Sequence, residues 1–288
     1  MKLDTNEIKT LVRDAIEEDV GSGDITSRNL IPPTEEATAR IIARSNGIVS
    51  GLAVARQVFK TLDRKCIWRA KLSDGDSVRK GRSIAIVKGL ARAILAGERT
   101  ALNFLQHMSG IATLTHRFVR KARYTETRIY DTRKTLPGLR VIEKYAVKCG
   151  GGYSFRKALY DMVLIKNNHL KICKQLGLPL DHVVRNLRIK VPRGIDIEIE
   201  ARTIREVELG IRADMDIIML DNMDYNTIKK AISIIRKSGK PIEVEVSGGI
   251  NLKNVEKIAK FKIDRISVGA LTHSAPVLDV ALEIISVD

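Results

Sequence analysis

Read from the amino terminus, apolar positions first recur at helical spacing. Leu3, Ile8, Leu11, Ile16 and Val20 fall on one face of an amphipathic helix within MKLDTNEIKTLVRDAIEEDV. A strand-like run, EATARIIARS, follows, then a short strand around 47–49, a helix over 52–62, and strands near 66–70 and 83–88. The segment DGDSVRKGRSIAIVKG sets turn glycines between short strands, as half a lipoyl-type domain does. It presents no lysine at a tight hairpin tip and reads as ordinary β structure. A long helical pattern over 91–121 completes this mixed first region.

Beyond residue 128 the period changes. Short β-branched runs occur at 128–131, 162–166, 195–201, 216–220, 242–246 and 265–268, and segments of helical spacing, such as 203–212, 225–237 and 252–260, separate most of them. Strands alternating with helices predict parallel strands joined by right-handed crossovers. Six such units suit a small or incomplete α/β barrel, with a flat doubly wound sheet as the alternative.

The polar residues favour the barrel. The runs end in Asp131-Thr132-Arg133-Lys134, in Lys166-Asn167-Asn168-His169, in a strand carrying Glu198 and Glu200, in Asp221-Asn222, in Ser247-Gly248-Gly249, and at Gly269. In a barrel these carboxyl-terminal ends converge on one mouth, where such folds place their chemistry. SGGI and SVGALT, in the last two units, predict free backbone N–H groups at adjoining helix starts, an arrangement that binds phosphate. Glu200 and Asp221 offer hard oxygen ligands for magnesium or acceptors for sugar hydroxyls; Glu198 ranks below Glu200. Arg133, Lys134 and Lys166 make a strongly positive pocket that an anion would relieve.

Composition narrows the partners. Lys and Arg number 50 against 34 Asp and Glu, a formal charge of +16, and the cations are spread along the chain rather than gathered in a tail. Aromatic residues make up only 4%, a thin supply for base stacking. Small multiply charged anions are the expected ligands, and nucleic acid is not expected. No apolar run approaches the ~20 residues of a membrane helix, and no signal peptide is apparent, so a cytoplasmic protein without a membrane partner is expected. Cys66, Cys149 and Cys173 form no CxxC pair and read as packing residues.

Several segments carry a specific resemblance. ERTALNFLQHMSGIATLT, DTRKTLPGLRVIEKYAVKCGGG, LYDMVLIKNNHL, IEIEA, IMLDNM, EVSGGI and SVGALTHSA occur in the order seen in the quinolinate phosphoribosyltransferases, from EEDVGSGDITS near the start to a last helix. The resemblance implies an N-terminal α/β sandwich over 1–110 and an incomplete, six- or seven-stranded α/β barrel over 111–288, with the last helix packing back on the first domain. It implies phosphoribosyl transfer from phosphoribosyl pyrophosphate to quinolinate with decarboxylation. The assembly it implies is a homodimer with shared active sites, with a hexamer of dimers as a further step.

By the same resemblance, Arg133, Arg156 and Lys166 hold the pyridine dicarboxylate, Arg99 reaches in from the neighbouring subunit, and Thr132 belongs with the substrate-binding residues. Lys134 contacts the phosphoribosyl pyrophosphate, and Glu200 and Asp221 hold its ribose hydroxyls with Mg2+. Ser247, Gly248 and Gly249, with Gly269, Ala270 and Leu271, take its 5′-phosphate. Lys134, Glu200 and Asp221 are the catalytic set. The sequence departs from the family pattern where Asn-His-Arg is replaced by Ser154-Phe155-Arg156, where a glycine is replaced by Ala158, and where LIKDNH becomes LIKNNH through Asn167. Phe155 is expected to pack beneath the pocket or to lie over the substrate ring. Three other readings compete: a paralogue acting on another anionic heterocycle or a molybdenum-associated relative (which typically lacks the lysine present here as Lys166), a basic RNA-binding protein on the same scaffold, and a Schiff-base aldolase using Lys166.

Overall fold

A computed structural model describes residues 3–287. Its first elements are α1 (Thr5–Asp19), α2 (Ile25–Leu30), β1 (Glu36–Ala43), β2 (Gly47–Ile48), α3 (Leu52–Leu62), β3 (Ile67–Ala70), β4 (Ser77–Val78) and β5 (Ser83–Leu90). Then come α4 (Ala91–Ala122), β6 (Arg128–Tyr130), α5 (Arg140–Cys149), β7 (Val163–Ile165), α6 (Asn167–Gln175), α7 (Leu180–Lys190) and β8 (Ile197–Ala201). The chain finishes with α8 (Ile204–Arg212), β9 (Ile217–Asp221), α9 (Tyr225–Lys237), β10 (Glu243–Ser247), α10 (Val255–Ala259), β11 (Arg265–Ser267), α11 (Ala270–His273) and β12 (Val280–Val287). Among the described residues no helix is long and apolar enough to cross a membrane.

The chain forms two compact units, and neither is a single stretch of sequence. One comprises residues 1–116, 135–152 and 271–288; the other comprises 117–134 and 153–270. The boundary expected at 110/111 falls inside α4. In the first unit a four-stranded sheet runs β12-β1-β5-β3, and its pairs are antiparallel. The last helix expected from the sequence is instead the strand β12, which pairs with β1 from Ala37↔Val287 to Ala43↔Val280. Its β-branched residues suit a pleated surface better than a helix, and Glu283 ties it down by accepting from Arg40 and Arg44, each at 2.8 Å.

Helix α1 starts where the Asp4 carboxylate caps the N–H groups of Asn6 and Glu7. It buries Ile8 and Val12 and packs on α3, whose own buried face is Leu52, Val54, Ala55, Val58 and Phe59. Gly110 of α4 lies so close to the 276–277 backbone that an added Cβ would stand 2.2 Å from the Pro276 carbonyl oxygen.

The second unit is a six-stranded parallel sheet in the order β6-β11-β10-β9-β8-β7. The edge strands β6 and β7 do not pair; the free side of β6 makes only a single parallel bridge, Tyr130↔Tyr153. Tyr130 of β6 and Leu164 of β7 nonetheless share one buried cluster with Phe155, Met162, Ile217 and Met219. The sheet is therefore curled until its two edges face each other, an incomplete barrel. Its outer face carries helices: Gly210 of α8 sits against Ile199 and Ile218, where a Cβ would stand 3.1 Å from each side chain. Thr203 caps α8 with a reciprocal box to Glu206, and Asp224 caps α9 by accepting from the N–H groups of Asn226 and Thr227.

Candidate active site

Alternation along parallel strands sets which residues enter the barrel. With Ile199 and Ile218 directed at the helices, the opposite phase points inward. Register places Glu198 beside Leu164 and Ile217, and Glu200 and Glu245 on either side of Met219. Ser247 is level with Asp221, Arg265 with Arg128 and Glu245, and Ser267 with Tyr130. The interior is thus a column of polar residues interrupted by one apolar layer.

At its amino-terminal end, Arg128 donates to Glu243 at 2.9 Å, Arg265 donates to the same carboxylate, and both guanidinium groups lie over the Tyr130 ring at 5.9 and 5.2 Å. The carboxyl-terminal end gathers most of the residues expected at the site. Lys166 Nζ stands 3.3 Å from Glu200 Oε1. Asp221 accepts from Arg202 Nε at 3.0 Å and from the Asn222 side chain at 3.0 Å. The Asn222 N–H donates to the Ser247 carbonyl at 3.0 Å, and Asn222 fills the space a Cβ on Gly248 would need.

Arg156 is buried and donates to the Met162 carbonyl at 3.1 Å. Burial, and then the neighbouring Arg133 charge, push its guanidinium below the ordinary value, while Glu198, Asp161 and Glu200 pull it back. Arg133, Arg156, Lys166, Glu198 and Glu200 are thereby one electrostatic group. Thr132 accepts the Lys134 N–H at 3.0 Å, which turns the chain at the end of β6, and the Lys134 side chain is exposed. Arg99 lies exposed on α4 in the other unit.

Three expectations change. SGGI does not lead directly into a helix: α10 begins only at Val255, after a turn in which Asn254 donates to the Gly249 carbonyl and accepts from the Asn251 N–H. Gly248 and Gly249 adopt φ of 89° and 64°, the left-handed region that other residues resist, and they form the turn themselves. Gly269 does lead straight into a helix, but α11 is four residues long. Phe155 packs beneath the pocket, inside the cluster of Tyr130, Met162, Leu164, Ile217 and Met219, with its N–H given to Asp131 at 2.8 Å.

Glu198 is the third correction. It faces the same way as Glu200, one step deeper, and is fully buried, as is Glu245 on β10. None of the four carboxylate oxygens has a hydrogen-bond partner; the Ser267 hydroxyl near Glu245 eases that acid without completing a bond to it. Burial, and then the charge of Glu245, push Glu198 well above the ordinary glutamate range. Burial drives Glu245 up to about 7. The sequence signal for this pair was visible as strict alternation in IEIEA and EVEVS, which sends both glutamates of each strand to one face.

Comparison with known proteins now bears on this geometry. The model for the quinolinate phosphoribosyl transferase C-terminal domain matches residues 111–283, and that for the N-terminal domain of the same enzymes matches 24–109. The chain belongs to the quinolinate phosphoribosyl transferase family. It is 37% identical over 278 residues to a probable nicotinate-nucleotide pyrophosphorylase (carboxylating) of Bacillus subtilis, covering 96% of this chain and 93% of that one. Among solved structures, NadC from Streptococcus pyogenes superposes with a TM-score of 0.91 at 33% identity, covering 100% of this chain and 99% of that one. The nicotinate-nucleotide pyrophosphorylase from Francisella tularensis gives a TM-score of 0.89 at 37% identity, with 98% of each chain covered. Membership in this family does not favour the RNA-binding or aldolase readings.

The interior acids make this member of the family sensitive to pH. A glutamate whose burial disfavours the anion ionises freely when unfolded, so the contribution of Glu245 to stability falls as pH rises from 4.5 to about 7 and is level above that. Glu245→Gln, which mimics the neutral acid, should match the wild type near pH 4.5 and exceed it in stability above pH 7. Denaturant unfolding across this range measures the difference, and parallel curves for the two proteins would refute the shifted acid.

Proposed function

We propose that the protein transfers the phosphoribosyl group of phosphoribosyl pyrophosphate to the ring nitrogen of quinolinate, with loss of the adjacent carboxylate as CO2, giving nicotinate mononucleotide and pyrophosphate. The observation that carries this reading is the crowding of Arg133, Arg156 and Lys166 at one barrel mouth. Three cations gathered at one mouth, beside the carboxylates of Glu198 and Glu200, suit a multiply charged anion.

The roles in this reading are those that the family resemblance implies. Arg133, Arg156 and Lys166 orient the dicarboxylate so that its nitrogen faces the anomeric carbon, with Thr132 at the same strand end. Orientation counts heavily here, because departure of pyrophosphate leaves an oxocarbenium-like ribose and no side chain has to attack. Glu200 and Asp221 accept from the ribose hydroxyls, and Lys134 neutralises charge on the pyrophosphate. Ser247, Gly248, Gly249, Gly269, Ala270 and Leu271 bring backbone N–H groups to the 5′-phosphate. When the carboxylate beside the nitrogen leaves as CO2, its electron pair remains on the ring carbon until a proton arrives, and the neighbouring cations stabilise that charge.

Glu200 and Asp221 also fit a magnesium ion carried in with the pyrophosphate. They present carboxylate oxygens from neighbouring strands, with side chains 14% and 13% exposed, and magnesium is commonly held by one or two carboxylates and substrate oxygens. When bound, the ion would neutralise the leaving pyrophosphate. The test is purified protein with both substrates and Mg2+, following pyrophosphate and CO2. Both should appear together, and excess chelator should stop them. Undiminished turnover without a divalent ion would remove the metal from this account, and no pyrophosphate from any pyridine carboxylate would remove the reaction.

Assembly is proposed as a homodimer in which Arg99 serves the partner's site. Its exposure on α4 suits a residue that completes a neighbour's pocket. Arg99→Ala and Lys134→Ala should each be inactive alone, and mixing them should restore part of the activity, since a mixed dimer holds one intact site. Exchange of subunits without recovery would exclude shared sites.

Phe155 bears on which substrate is preferred. A charge-assisted hydrogen bond to a carboxylate contributes about 1.5–3 kcal/mol, and a phenyl ring cannot donate one. Phe155→His should therefore raise kcat/KM for quinolinate relative to nicotinate by roughly tenfold or more if the imidazole reaches the pocket. An unchanged ratio would mean that the side chain at this position serves the buried cluster alone.

A further inference from the structure

Between Lys134 and Tyr153 the chain leaves the barrel unit and returns to it. Arg133 and Lys134 stand at the exit, and Arg156 lies just past the re-entry. The excursion begins with a tight turn: Leu139 N–H donates to the Leu136 carbonyl at 3.1 Å across Pro137 and Gly138, and Gly138 has φ 80°. Proline followed by a left-handed glycine is the type II pattern. Helix α5 follows at once, and from its first turns Glu143 reaches back to accept the Leu136 N–H at 3.3 Å.

Glu143 is fully buried although it is a carboxylate on a ten-residue helix. Its other oxygen lies 3.0 Å from His107 Nε2 of α4. The far end of the excursion is clamped to the same helix: a Cβ on Gly150 would stand 2.4 Å from the Ala112 carbonyl, and one on Gly152 would stand 2.7 Å from Thr115. Tyr145, two residues along α5, donates instead to Asp74 at 2.8 Å and has no part in the turn.

We propose that Glu143, backed by His107, is a positioning residue for the reaction: it pins the 136–139 turn to α4 and so fixes where the chain delivers Arg133 and Lys134. A buried carboxylate is retained at a cost, and here one oxygen holds the segment that follows the two cations while the other is anchored by His107 of α4. The inference rests on the substrate-binding roles proposed above for Arg133 and Lys134.

The test compares Glu143→Ala, Glu143→Gln and His107→Ala with Tyr145→Phe, which removes a hydrogen bond of the same helix that does not touch the turn. Glu143→Ala should lower kcat/KM for phosphoribosyl pyrophosphate by about ten- to a hundredfold, the scale of a misplaced binding group. Glu143→Gln retains an acceptor for Leu136 and should recover activity to within about threefold of wild type; His107→Ala should fall between the two. Tyr145→Phe should lose thermal stability while keeping both KM values. Amide hydrogen exchange over 132–139 should quicken in Glu143→Ala and not in Tyr145→Phe.

Equal kinetic loss in Tyr145→Phe at matched stability would overturn the proposal, and so would unchanged exchange over 132–139. Should Glu143→Ala fail to fold, Glu143→Gln and His107→Ala decide by the same two readouts. If the wild type releases no pyrophosphate from these substrates, it is the functional reading that fails. The exchange measurement then still decides whether Glu143 holds the turn.

Discussion

Everything at the barrel mouth depends on the phase of the parallel strands. Glu200, Asp221 and Ser247 point inward only because Ile199, Leu220 and Val246 point at the helices. A slip of one residue in any strand would exchange the two sets, burying carboxylates under α8 and α9 and placing isoleucine and leucine in the pocket. The outer set is uniformly apolar and tightly packed, so the register is held by the hydrophobic layer on the far side of the sheet. The site inherits its geometry from residues that never touch it.

The inner face carries a cost. Glu198 and Glu245 are buried without hydrogen bonds, and burial pushes both above the ordinary glutamate range. A core chosen only for stability would place apolar side chains there. The apolar layer of Tyr130, Phe155, Met162, Leu164, Ile217 and Met219 supplies much of the compensating burial, and Arg128 and Arg265 satisfy Glu243 below it. Because burial disfavours ionisation of these two acids, they offset the cations at the mouth less than exposed carboxylates would. That favours an anionic ligand from solvent over an internal partner.

The segment 135–152 shows a second use of buried polar groups. Glu143 and Tyr145 each fix a different neighbour, through Leu136 and His107 in one case and Asp74 in the other. Burial and the Asp74 charge raise the Tyr145 phenol, so it remains a donor at any ordinary pH. Short hydrogen-bonded struts of this kind fix the path of a loop more sharply than apolar contacts do, because their geometry is directional.

The sequence by itself determined the period of each long element, the alternation of parallel strands with helices, the polar strand ends and the motifs that mark the family. Those are local properties: α1, α8 and α9 follow from apolar spacing and from Asp4, Thr203 and Asp224 as caps, and inward phase follows from alternation once a strand is accepted. Tertiary structure alone decided what depends on distant neighbours. Helix α5 buries Glu143 and Lys144, so its core face does not look apolar in sequence. The last segment becomes β12 because β1 offers it an edge in the first unit's sheet, and pairing across the chain outweighs local preference. Glu198 reads as one more rim carboxylate until the curl of the sheet closes over it. Its burial arises from the approach of β6 and β7, two strands with no hydrogen bond between them.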